Sequence, residues 1–324
     1  MGLWSWLSSL FSNKNVGKKE ELKQMGHSKK GTRIESLQVL DVADGDTIRV
    51  EINGKSESLR LLSLDTEESH AGGSKPVTNA GKMATEMAKK YFTGANGDWC
   101  KVSIEFDTNE SVEDCLSKHR GTYGRLLCYV YKDEELYNQK AIQEGWSPYF
   151  VKYGPSRLHD ALFTRAQEEA MTAKLIIWDP KTNKGGAKRD YDDLLPWWSR
   201  RGKRVQHFRE IKESKDILSI REDYSTIIDL MNKNKEVTLF CDLQGGITTR
   251  PATGAVLHIG GKLQPMSLWI PNANNGEGKA LIKLIEDEYA HHGKGYCYIT
   301  GTIESYKDKP QIILTKSSQL IDSL

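Results

Sequence analysis

Two runs of short strands, each interrupted by inserted helices, predict a mainly β fold with helices (α+β), built as two small barrels. Alternation is the first sign. Ile48, Val50 and Ile52 share one side of a stretch whose other side carries Arg49 and Glu51, the period of a half-buried strand. Element order is the second. Within 33–180 strands and inserted helices give a five-stranded OB-type barrel, and within 236–324 three strands, a helix and two strands give a second, OB-like barrel. Residues 1–32 read as an amphipathic helix with a basic tether, and 181–235 as a basic linker with a helical connector.

A chain of 324 residues is long enough for two domains with real cores. With 38% hydrophobic and 28% charged residues it has the composition of a soluble globular protein. Its net charge of +2 is nearly balanced, so any affinity for nucleic acid has to come from local clustering. The five cysteines (Cys100, Cys115, Cys128, Cys241, Cys297) are scattered, with no CxxC pair. That excludes a disulfide framework and a zinc ribbon, and favours a reducing compartment. No apolar run approaches the ~20 residues that span a bilayer.

In residues 1–12, Leu3, Trp4, Leu7, Leu10 and Phe11 fall on one helical face and serines on the other, with Lys14, Lys18, Lys19 and Lys23 following. Such a segment suits a membrane surface, or a helix that caps a neighbouring domain or binds a protein partner. A secretory signal fits poorly without a basic n-region, and Trp6 breaks the myristoylation pattern. A cytoplasmic or membrane-peripheral location is therefore expected over a secreted one.

Along the first barrel, Asn53-Gly54 marks a hairpin, leading into a strand over 58–64. Residues 69–79 read as loop. A helix follows with Ala80, Met83, Ala84, Met87, Ala88 and Tyr91 on one face, and Lys89-Lys90 on a solvated one. Strands are expected over 101–106 and 123–131, separated by a polar loop at 107–122. A short helix over 137–144 ends at Gly145. A longer one over 156–174 carries a stripe of small residues including Ala161, Ala166, Ala170 and Ala173. His70, His159, His291 and His292 have no spacing that favours catalysis or zinc and read as surface residues.

Beyond the linker, Trp197 and Trp198 precede Arg200, Arg201, Lys203 and Arg204. Aromatics beside a basic run fit a nucleic-acid contact through stacking and phosphate pairing. The same residues also fit a tryptophan pair that anchors the linker under a solvated basic face. In the second barrel, strands are expected over 237–243, 255–259, 266–270, 295–305 and 311–315, with a helix over 276–291.

Chemistry concentrates in residues 44–68. Asp46, Asp65 and Glu68 gather around Arg60 if the two segments pair as neighbouring strands. Carboxylates beside an arginine suit the holding of a hard cation against a phosphate. Here the chain resembles the thermonuclease (staphylococcal-nuclease-like) family over residues 35–179. The resemblance rests on Asp44-Gly45-Asp46-Thr47, Leu59-Arg60-Leu61-Leu62, Asp65-Thr66-x-Glu68, Tyr123-Gly124-Arg125, Asn138 and Ile177-Trp178 in order. It implies a Ca²⁺-dependent phosphodiesterase acting on DNA and RNA. By position, Asp46 and Asp65 are the implied metal carboxylates, with the Thr66 carbonyl and with Asp44 holding bound water. Glu68 is the implied general base, Arg60 and Arg125 the phosphate clamp, and Tyr123 and Tyr153 phosphate or nucleotide contacts. The family usually has proline where this chain has Glu67, a change expected to loosen the turn and add negative charge beside the metal. The alternative to an enzyme is a non-catalytic module that binds nucleic acid or protein.

Overall fold

In the computed structural model the described residues are 30–72, 75–245, 247–250 and 253–324. The amphipathic segment 1–12 lies outside them. Among the described residues no helix is long and apolar enough to cross a membrane.

Three antiparallel strands open the first barrel: β1 (Arg33–Asp44), β2 (Thr47–Ile52) and β3 (Lys55–Leu61). Asn53 and Gly54 both have positive φ, 52° and 72°, the geometry that a tight primed turn demands. After α1 (Asn79–Phe92) come β4 (Lys101–Glu105), α2 (Val112–Lys118), β5 (Leu126–Lys132) and β6 (Glu135–Leu136). The sheet runs β3-β2-β1-β4-β5-β6, and a parallel β3–β5 pairing closes it. Ile48, Val50, Leu59, Leu61, Ile104 and Leu126 fill its interior, as the period-2 alternation requires. Two further helices, α3 (Tyr137–Gln143) and α4 (Asp160–Thr172), complete the domain. Buried Asn138, at the second residue of α3, ties the barrel together. Its Oδ1 accepts the Val130 amide at 2.9 Å, and its Nδ2 donates to the Leu62 carbonyl at 2.7 Å.

Three expectations for this barrel need correction. The stretch 107–122 is not all loop. Ser111 Oγ accepts the Asp114 amide at 3.1 Å and so starts α2, which buries Cys115. Helix α4 begins only at Asp160, because Ser156 Oγ and the Asp107 carboxylate take the amides of 157–159 in a turn. His159 is not a surface residue. Its Nε2 lies 2.9 Å from Glu105 Oε2, on a carboxylate that also accepts Tyr131 Oη at 2.8 Å and Arg33 Nε at 3.0 Å.

The connector is ordered along most of its length. It holds α5 (Tyr191–Ile211), β7 (Ile217–Ser219) and α6 (Tyr224–Leu230). Asp190 Oδ1 accepts the Asp193 amide at 3.2 Å, and Pro196 falls within α5.

The remaining strands are β8 (Glu236–Asp242), β9 (Ile247–Arg250), β10 (Gly254–His258), β11 (Ser267–Pro271), β12 (Tyr296–Thr302), β13 (Glu304–Tyr306), β14 (Lys309–Ile313) and β15 (Leu320–Ile321). Parallel β11–β14 and antiparallel β8–β12 pairings repeat the relations of β3–β5 and β1–β4 in the first barrel. Helix α7 (Gly276–Leu284) passes into a π-helical turn at Ile285–Tyr289. Strand β9 has no counterpart in the sequence expectation. The single strand expected over 295–305 breaks at buried Ile303, where the chain leaves the β8 sheet for the β14 sheet. All five cysteines are free thiols, and four of them are buried.

Candidate active site

The site begins with strand register. Thr47 pairs with Arg60 across β2 and β3, so Asp46, one residue before the strand, stands beside the Arg60 guanidinium. The two form an ion pair. The other guanidinium nitrogen, Nη2, donates to Asp65 Oδ1 at 2.9 Å. Asp46 Oδ2 accepts the Thr66 amide at 3.0 Å, and its Oδ1 accepts Thr47 Oγ1 at 3.0 Å. The Thr47 hydroxyl in turn accepts Arg125 Nη1 at 3.3 Å. Arg125 comes from the loop just before β5, so one chain of contacts links both arginines to Asp46.

Asp65 is almost fully buried. The Ser147 hydroxyl accepts its amide at 2.9 Å, and the Phe150 amide bonds the neighbouring Ser63 carbonyl at 2.9 Å. Segment 147–150 therefore braces the turn from behind. Three cations converge on the Asp65 carboxylate. Arg60 and Lys75 both lie 2.9 Å from Oδ1, and Arg189 lies 2.7 Å from Oδ2. Burial disfavours the charge, but Arg189, then Arg60 and Lys75, outweigh it and hold the carboxyl below the usual carboxylate range.

Asp44 is pushed the other way. Burial raises it, and the charges of Arg60 and Arg125 only partly offset this. Its Oδ1 has no hydrogen-bond partner, nor has the buried Thr66 hydroxyl. Burial lowers Arg125 below its ordinary value, and the charge of Arg60 lowers it further. Two guanidiniums that disfavour one another in a half-buried site favour an anion between them.

Glu68 is half-buried, with Oε1 3.5 Å from Lys75 Nζ. Its carbonyl accepts the Thr78 amide at 3.1 Å. Thr78 also caps α1, its hydroxyl accepting the Gly81 amide at 3.0 Å. A Cβ on Gly81 would come within 2.2 Å of the Glu68 oxygen, so helix α1 presses directly on the turn that carries Glu68.

Glu67 departs from expectation. It is tied into the fold rather than left free beside the other acids. Its side chain is buried on the opposite side, where Asn183 Nδ2 donates to Oε2 at 2.9 Å and Tyr191 Oη to Oε1 at 3.1 Å.

Tyr123 and Tyr153 are exposed, at 78% and 54%, as contacts for an incoming molecule must be. Tyr123 lies 5.8 Å from the Arg125 guanidinium and Tyr153 5.6 Å from the Phe150 ring. For the tryptophan and arginine run beyond them the nucleic-acid contact is corrected, and the anchoring pair is what the structure shows. Trp197 and Trp198 are buried, Trp197 donating to the Gly293 carbonyl at 3.0 Å, and Trp198 meets Phe150 edge-on at 4.8 Å. Arg201 is fully buried and pairs with Asp242 at 2.7 Å. None of these three is free to stack on a base or hold an exposed phosphate. Arg204 pairs with Asp322 at 2.9 Å, which leaves Arg200 exposed.

Sequence reasoning missed Lys75 and Arg189. Each lies in a stretch read as loop or linker, where no periodic pattern marks a residue as inward-facing.

The donor set at the rim is all oxygen: Asp46, Asp65, the Thr66 carbonyl, Asp44 and Glu68. Together with the unpartnered Asp44 oxygen, it fits a hard cation. Among the described residues no three His, Cys, Asp or Glu side chains form a ready-made cluster, because Arg60 and Lys75 stand between the acids.

Barrel, carboxylates and facing arginines together define the class of a phosphate-handling site on a closed OB-type barrel. A family profile described as "Staphylococcal nuclease homologue" matches residues 58–180. A thermonuclease from Staphylococcus hyicus is 32% identical over 144 residues, covering 44% of this chain and 76% of that protein. One from Staphylococcus intermedius is 33% identical over 147 residues, covering 45% and 78%. Endonuclease YncB of Bacillus subtilis is 31% identical over 162 residues, covering 49% and 70%. The chain belongs to the staphylococcal-nuclease family and is a nuclease of that family.

Proposed function

We propose that this nuclease is a Ca²⁺-dependent phosphodiesterase that hydrolyses DNA, RNA or both with little sequence preference. The observation that best supports this reading is the mutual placement of Arg60 and Arg125 beside buried Asp46 and Asp65. A phosphodiester is anionic and repels nucleophiles. Two guanidiniums neutralise its equatorial oxygens and hold them more tightly as charge builds in the transition state.

The Asp46 and Asp65 carboxylates and the Thr66 carbonyl would hold the cation, with Asp44 accepting hydrogen bonds from its water. Bound Ca²⁺ supplies positive charge to a phosphate oxygen and lowers the barrier to attack. Glu68 accepts the proton of the attacking water, and Lys75, 3.5 Å away, orients its carboxylate. Tyr123 and Tyr153 offer exposed faces to the nucleotide.

Incubation of the purified protein with single- and double-stranded DNA and RNA, in millimolar Ca²⁺ or chelator, tests the reading. Cleavage that depends on Ca²⁺ is expected. Intact substrates, or cleavage indifferent to chelator, reject it.

The second barrel is proposed to be an OB-like accessory domain. With Trp197, Trp198 and Arg201 buried, any grip on the strand falls to exposed groups of α5 such as Arg200, Lys203 and His207. Placement at a membrane surface through residues 1–12 is a separate proposal. Liposome flotation that is unchanged when those residues are deleted would reject it.

A further inference from the structure

We propose that Arg189, contributed by the segment between the barrels, is a positioning residue for the metal carboxylate Asp65. The inference rests on the calcium reading above.

Segment 183–191 crosses the back of the turn at 65–68 and holds it at three points. Asn183 joins the amide of Ala80, at the start of α1, to the Glu67 carboxylate, with contacts of 3.0 and 2.9 Å. Tyr191 Oη donates to the second Glu67 oxygen at 3.1 Å. Arg189 then grips Asp65 itself, with Nη2 on Oδ2 at 2.7 Å and Nη1 on the backbone carbonyl at 3.1 Å.

The guanidinium is a rigid fork. By holding a side-chain oxygen and the main-chain oxygen of one residue together, it fixes the carboxylate relative to its own backbone. Arg189 is itself fixed. Its side chain is 6% exposed, and its guanidinium lies 5.5 Å from the Tyr191 ring and 5.3 Å from the Trp198 ring. Cation–π contacts of this kind hold a buried arginine in place.

The two carboxylate oxygens of Asp65 thus have different partners. Oδ2 belongs to Arg189, which the aromatic pocket immobilises. Oδ1 is held by Arg60 and Lys75, both on the side of the acids, and Lys75 is 41% exposed and free to swing away. Oδ1 is the oxygen that can be passed to a cation while Oδ2 stays anchored. Arg189 therefore does not compete with the metal. It presents Oδ1 toward Asp46.

Calorimetric titration of the full chain with Ca²⁺, together with kcat and KM for a DNA substrate, tests the assignment in R189Q and R189K. Loss of an outer partner of a metal ligand typically costs about 10–100-fold in metal affinity. R189Q is expected to weaken Ca²⁺ binding by about that factor and to lower kcat, with KM nearly unchanged. R189K keeps the charge but not the fork, and is expected to lie between R189Q and wild type. Circular dichroism without Ca²⁺ reports folding. If R189Q fails to fold, R189K decides by the same reading. Ca²⁺ affinity equal to wild type overturns the inference. Tighter binding also overturns it, since Arg189 would then be a competing cation. A wild-type protein that binds no Ca²⁺ rejects the calcium reading and this inference together. Wild-type binding with an unchanged variant rejects this inference alone.

Discussion

Single residues divide the labour at the rim. Arg60 touches both Asp46 and Asp65, whereas Arg125 reaches Asp46 only through the Thr47 hydroxyl. Replacing Arg125 with glutamine removes one charge-assisted clamp and is expected to lower kcat about 10²–10³-fold in a steady-state cleavage assay. Glu68→Gln, by the same assay, is expected to lower kcat about 10²–10⁴-fold while substrate binding survives. Gly81 acts without touching the chemistry. Alanine there would drive a Cβ against the Glu68 and Glu67 carbonyls, at 2.2 and 2.6 Å. A displacement of the base of about 1 Å is expected to cost about 10²-fold in kcat, with circular dichroism unchanged. Asp46, Arg60, Asp65 and Glu68 were legible because a hairpin and one turn bring them together, and both carry local signals. Arg189 was not, since its contact with Asp65 spans 124 positions and nothing in a Lys-Gly-Gly stretch announces it.

Elements of the first barrel are joined by a few buried polar groups. Asn138 bonds both β5 and the end of β3 through Val130 and Leu62. Asn138→Leu strands a buried amide and a buried carbonyl. It is expected to cost about 2–4 kcal/mol in urea denaturation. Glu105 joins β4 to Arg33 of β1, Tyr131 of β5 and His159 before α4. Burial opposes its charge, but hydrogen bonds from His159, Tyr131 and Arg33 prevail and bring its pKa down to about 2. A carboxyl depressed in the folded state contributes stability above its unfolded value near 4.3 and loses it as pH falls toward about 2. An acid-unfolding series is expected to lose roughly 3 kcal/mol across that window, and Glu105→Gln is expected to flatten that limb. The first barrel's strands were legible through period-2 alternation. Helix α2 was not, because a seven-residue helix offers too few turns to show a face.

At the scale of the whole molecule, among the described residues the second half of the chain reaches the first barrel's site in two places. One is the strap through Arg189. The other is the loop after β10, where the Lys262 amide donates to the Thr122 carbonyl at 3.0 Å, three residues before Arg125. Lys262→Pro removes that donor and is expected to raise KM about fivefold, the worth of one hydrogen bond, in the same cleavage assay. The repeated order of strands was legible in the sequence. How the halves meet was not, because it depends on contacts between residues far apart in the chain, such as Arg189 with Asp65 and Lys262 with Thr122. The free thiols give this arrangement a built-in clock. Cys128 lies in the core of the first barrel and Cys241 and Cys297 in the core of the second half of the chain, all nearly inaccessible, and burial pushes each thiol's pKa up. None can be alkylated until its core opens. If strap and loop fuse the halves into one cooperative unit, Cys128 and Cys241 will be alkylated at one common rate in the native protein.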